Sequence, residues 1–236
     1  MPAPMSATTP DLLTDAPGAD LFDVATPAAT DPDAGEPAGP AGPRKRPKPG
    51  ERRVQILQTL AAMLEEPGAD RITTAALAAR LEVSEAALYR HFASKAQMFE
   101  GLIEFIEASI FNLVRQITER EADGRVQATR TVALLLQFGE KNPGMTRVMV
   151  GDALVFEHER LSTRMNLFFD RIESQLRLSL RSAADAAGSA SPTVEASVLA
   201  SVLVSFALGR LQRYARSGFK RSPAEHLEPA LALLLG

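Results

Sequence analysis

Residues 72–95 read ITTAALAARLEVSEAALYRHFASK, and the reading of this stretch decides the fold. Thr74 stands where it can cap a helix in which Leu77, Ala78 and Leu81 share one face, since residues three and four apart lie together on an α-helix. Glu82 and Val83 make a turn. Ser84 then caps a second helix, opened by Glu85 and Ala86, which runs through Leu88, Tyr89 and Arg90 to His91. Two short helices packed steeply through Ala78, Val83 and Leu88 form a helix-turn-helix, the unit whose second helix enters a DNA major groove. Ala86 and Ala87 are small enough for close approach. Paired Ala/Leu helices also occur in proteins that bind no DNA, but those leave an arbitrary set of residues outside. Here the outer set is Thr73, Ser84, Tyr89, Arg90, His91, Ser94 and Lys95, donors suited to phosphates and base edges.

The run Leu88-Tyr89-x-His91-Phe92-x-x-Lys95 resembles the signature that closes the recognition helix and opens the next helix in the TetR family. The similarity continues through LIEFIE at 102–107, FGEKNPGMTRVM at 138–149 and FDRIESQLR at 169–177, toward that family's nucleoid occlusion factors. It spans roughly residues 50 to 236. The resemblance implies an all-α, TetR-like protein: an N-terminal three-helix helix-turn-helix domain and a C-terminal helical dimerisation core. A two-fold dimer presents two recognition helices to successive major grooves, so the expected site is a palindrome in double-stranded DNA. In this reading Tyr89 and Lys95 hold phosphates, and Thr73 and Ser84 bring helix N-termini to the backbone. Ser84, Glu85, Ala87 and Arg90 face the bases, with His91 beside them.

The same resemblance implies a second partner, the C-terminal tail of the tubulin-like division protein FtsZ, held in a groove between the fourth and fifth helices. The matching positions are Phe105, Leu134, Lys141 and Asn142, an apolar set with a cationic rim. Gln137 stands where the resemblance leads one to expect glycine. The alternative is a TetR-family transcriptional repressor released by an apolar small-molecule ligand, which needs a core cavity with a few convergent polar groups. The leucine-dense TVALLLQF at 131–138 suits a filled core better.

Outward from this segment, composition divides the chain. Residues 1–43 are rich in Pro, Ala, Asp and Thr, and carry seven acidic and no basic side chains. Such a segment buries too little apolar surface to offset the entropy of ordering it, so disorder is expected. Removing those seven charges from the chain's net −3 leaves +4 on residues 44–236. Arg44, Lys45, Arg46, Arg52 and Arg53 then form a basic arm able to track phosphates or enter a minor groove. The expected division is 1–43 as acidic tail, 44–95 as arm and DNA-binding domain, and 96–236 as core.

Helical periodicity continues to the end of the chain. A long helix from Ser94 to about Arg120 carries a stripe of Phe99, Leu102, Ile103, Ile106, Ile110, Leu113 and Ile117, with Met98 and Phe105 off it. Further helices are expected at 125–140, from Pro143 to Val150, at 157–184, from about Val194 through Arg213, and after Pro223. The 157–184 and 194–213 helices hold more apolar residues than one buried face needs. The chain has no cysteine, so a disulfide framework or thiolate metal site is excluded. It shows neither a run of eighteen apolar residues nor a basic-then-apolar leader, so no membrane partner and a cytoplasmic, nucleoid-associated location are expected. His158 and His226 lack metal-ligand spacing. With no phosphate-cradling glycine loop and no nucleophile elbow, neither an enzyme nor a cofactor is expected.

Overall fold

A computed structural model describes residues 50–66 and 71–236. The acidic tail, Arg44, Lys45, Arg46 and the breaker residues Pro67 and Gly68 lie outside the described residues. Among those described there are nine α-helices and no strand. The DNA-reading segment comprises α1 (Glu51–Glu65), α2 (Thr74–Arg80) and α3 (Glu85–Tyr89). The remainder comprises α4 (Lys95–Arg120), α5 (Gly124–Lys141), α6 (Pro143–Met149), α7 (Glu159–Ala186), α8 (Pro192–Arg216) and α9 (Leu227–Leu235).

The 26 residues of α4 give it a length of about 39 Å, enough to pass from the DNA-reading helices into the core. Ser94 caps it by accepting from the Gln97 amide at 3.2 Å. Its expected stripe is buried throughout. Met98 departs from the expectation and is fully buried too, because α1 packs against the first turns of α4 and encloses a second side. The expected boundary between residues 95 and 96 falls within the first turn of this continuous helix.

Local capping moves two other helix starts. Thr73, not Thr74, caps α2, accepting from the Ala76 amide at 3.1 Å. The Thr74 hydroxyl instead donates to a Glu85 carboxylate oxygen at 2.6 Å, linking the two helices of the motif. His158 caps α7 through Nδ1, which accepts from the Arg160 amide at 3.3 Å, so Glu157 stays outside that helix. The recognition helix α3 ends at Tyr89, two residues short of the expected His91.

In the core, Val132, Leu134, Leu135, Leu136 and Phe138 of α5 are buried on nearly every side, sandwiched by α4, α7 and α8. Helix α8 packs chiefly on α7 and also on α5 and α6, burying Ala196, Ala200, Leu203, Ala207 and Leu211, the last against Gly139 of α5. The short helix α6 joins this core to α1 at very close range. A Cβ placed on Gly144 would lie 2.1 Å from the Ala61 carbonyl oxygen, so only glycine permits this backbone approach. The Gly144 amide also bonds the Glu65 carboxyl, whose pKa burial nonetheless pushes up.

Gly144→Ala is therefore expected to force α1 away from α6, at a cost of about 1–3 kcal/mol for overpacking against atoms that cannot rotate aside. Thermal unfolding should show a lowered midpoint, and DNA affinity should fall with it as the reading helices lose their seat.

Candidate nucleic-acid interface

The reading segment leaves most of the residues picked from sequence accessible. Thr73, Ser84, Glu85, Tyr89, Arg90 and His91 are exposed, and Ala87 is half-buried. Beneath them Leu77, Ala78, Leu81 and Leu88 are buried and hold α2 against α3. Tyr89 is 46% exposed, which leaves its ring and hydroxyl accessible from solvent. Glu85 is the exception in chemistry: its carboxylate is already engaged by Thr74.

The arginines of α1 differ in availability. Arg52 bonds the Gln55 side chain at 2.8 Å along its own helix. The guanidinium of Arg53 lies 4.2 Å from the Phe92 ring centroid and donates to the His91 carbonyl at 3.0 Å. Arg53 therefore locks α1 to the end of the recognition segment, and its role is partly structural.

Lys95 departs furthest from expectation. Its side chain is only 23% exposed and its Nζ is bonded to a carboxylate oxygen of Glu157, itself 9% exposed. Sequence reading missed Glu157, because its partner is 62 residues away and its neighbours spell a polar helix start. The pair is the first rung of a ladder between α4 and the start of α7. Arg160 reaches Glu100 at 2.8 Å, and Arg164 grips Glu107 with two hydrogen bonds of 2.7 and 3.2 Å. The Glu107 bond raises the pKa of Arg164 further, so that rung stays charged.

Of the four residues assigned to a partner groove, three lie around the end of α5. Phe105 is half-buried, its ring 6.5 Å from that of buried Phe138. Asn142 joins α5 to α6 and donates from Nδ2 to the Phe138 carbonyl at 2.8 Å, and Lys141 beside it is exposed. Phe138, absent from the sequence-based assignment, forms the floor between them. Leu134 is a correction: it is fully buried in the core, one turn beneath Phe138, and offers a partner no surface. Gln137 is packed so that its Oε1 is buried without a hydrogen-bond partner.

Leu167 and Leu178 of α7 and Val194, Val198 and Val202 of α8, two helices packed on each other, leave apolar side chains outside, each at least 39% exposed. Among the described helices, α8 has the length and apolar composition of a membrane-crossing segment, but its Ala196, Ala200 and Ala207 are buried.

An exposed helix-turn-helix carried by a long helix into an all-α core defines a DNA-binding regulator of the TetR class. Residues 56–102 match the family described as bacterial regulatory proteins, tetR family, and residues 122–235 match the SlmA-like form of the tetracyclin repressor-like C-terminal domain. Solved relatives share the fold. The regulator PfmR of Thermus thermophilus superposes with a TM-score of 0.62 at 20% identity, over 78% of this chain and 95% of that one. The FadR of Bacillus subtilis, solved with stearoyl-CoA, superposes at 0.62 with 12% identity, over 77% and 97%. Sequence relatives are more specific. The chain is 51% identical to the nucleoid occlusion factor SlmA of Idiomarina loihiensis, over 74% of this chain and 89% of the relative. It is 52% identical to SlmA of Aliivibrio fischeri, over 80% and 96%. This chain belongs to the SlmA family of nucleoid occlusion factors, within the TetR regulators.

Arg90→Ala should relax preference at one base position by roughly 1–3 kcal/mol in a competition assay against variant operators. A loss equal across all sequences would place Arg90 on a phosphate instead.

Proposed function

We propose that this protein is a dimeric nucleoid occlusion factor: it binds palindromic sites on the chromosome and, while bound, engages the C-terminal tail of FtsZ to block septum assembly over the nucleoid. The observation that carries this reading is the extent of the similarity. Identity near one half runs through both the reading helices and the core, over 89–96% of each relative's length. A shared DNA-binding unit alone would favour any TetR-like regulator; the shared core favours the same partner.

Three features support the parts of this reading. Exposed Ser84, Tyr89, Arg90 and His91 supply the DNA-facing donors. The apolar edge of α7 and α8 is what a two-fold interface would cover, because exposed aliphatic side chains gain free energy by pairing with a second copy. Phe105 and Lys141, flanking buried Phe138, offer a hydrophobic shelf with a positive rim to a peptide that carries apolar and acidic side chains. Leu134, Leu135 and Leu136 are fully buried, which favours this reading over a repressor whose ligand sits among them.

In binding titrations with a fluorescent FtsZ-tail peptide, Lys141→Glu should abolish binding and Phe105→Ala should weaken it about tenfold, a loss of roughly 1.4 kcal/mol. DNA affinity should be unchanged for both. If Phe105→Ala destroys DNA binding as well, that ring is part of the core and the groove lies elsewhere. Val198→Glu should convert the dimer to monomer in sedimentation, since the change places a charge in the middle of the apolar edge.

A further inference from the structure

We infer that Glu157 is an internal competitor of DNA: it occupies Lys95 in the free protein and must give it up when a phosphate arrives. The inference rests on the DNA-binding reading above and adds a regulatory contact to it. Lys95 opens α4 immediately after the recognition segment, where a phosphate-binding cation belongs, yet its Nζ is held by a carboxylate. Both members are largely withdrawn from water, at 23% and 9% exposure. A pair in that setting is not a solvated surface contact that dissolves at no cost, and neither charge can be left alone in place.

The chain around Glu157 is built to release it. Gly151 adopts φ +85°, a left-handed conformation favoured by glycine. The following turn, Asp152–Leu154, is anchored by buried Ala153 and Leu154. Val155 and Phe156 then stand out at 70% and 66% exposure, just before Glu157 and the His158 cap. Residues 155–157 therefore form a short span tethered at both ends. The Lys95 bond holds it together with one backbone bond, from the Glu157 amide to the Leu154 carbonyl at 3.0 Å. When phosphate replaces Glu157, the carboxylate regains water by outward movement of this span, and the ladder between α4 and α7 loses its DNA-proximal rung. Occupancy of DNA is thereby registered in the core. The reverse coupling follows by linkage, so any partner that holds the span outward tightens DNA binding by the same factor.

The exchange leaves a signature in a double-mutant cycle. Glu157→Gln should tighten binding to an operator duplex three- to tenfold, because Lys95 then meets a phosphate without first giving up a carboxylate. Lys95→Gln should cost less than threefold in the native background and at least tenfold in the Glu157→Gln background. An unchanged or weaker affinity for Glu157→Gln, with the two substitutions acting independently, would overturn the inference and leave the pair a structural bridge. If Glu157→Gln fails to fold, Lys95→Gln decides alone, with thermal unfolding showing that it remains folded: a loss of tenfold or more then overturns the inference, and a loss under threefold supports it. Arg90→Ala serves as the control for the underlying reading. Should it and Lys95→Gln both leave affinity intact, the DNA face itself is misassigned.

Discussion

One helix has to satisfy two cores at once. At its start α4 is enclosed by α1 and buries Met98, Phe99 and Leu102; further along the same helix buries Ile106, Ile110, Leu113 and Ile117 against α5 and α7. An α-helix transmits rotation and translation along its length because its hydrogen bonds lie inside it. The orientation of the reading helices is therefore set by whatever fixes α4 in the core. Gly144 adds a second seat, bringing α6 against the backbone of α1. In the proposed dimer the exposed edge of α7 and α8 meets a second copy, and the spacing of two recognition helices then depends on this chain of packed helices.

The electrostatics follow the same line. Acidic Glu100, Glu104 and Glu107 on α4 meet Arg160 and Arg164 on α7, in a ladder that begins with Lys95 and Glu157 reversed in sign. Its inner rung is bidentate and half-buried, the geometry that makes an ion pair specific. Its outer rung, Lys95 with Glu157, stands next to the recognition segment at the start of α4. In the exchange proposed above, that rung is the one given up, while the bidentate inner rung keeps α4 and α7 together.

Much of this was legible in the sequence, for physical reasons. Periodicity marked the α4 stripe, because burial of a helix face leaves a 3.6-residue signature. The helix-turn-helix was legible from short-range rules of capping and turning. What escaped was long-range. Nothing in the order of residues tells that Glu157 will meet Lys95, that Gly144 will touch Ala61, or that Arg53 will stack on Phe92. Leu134 was misplaced for a related reason: on a helix packed from three sides every apolar residue is buried, and periodicity no longer separates shelf from core. Thr73 and Thr74 differ by one position in a run of two threonines, and only the extended backbone at Thr73 decides between them.

The most direct test of the central claim is a chromosome-wide occupancy map of this protein in growing cells. The account predicts many palindromic sites, scattered through genes and depleted near the replication terminus, so that inhibition of septum assembly lifts where the chromosomes separate last. One or a few sites, confined to promoters beside a transport or metabolic gene, would contradict it and make the protein a local regulator of transcription.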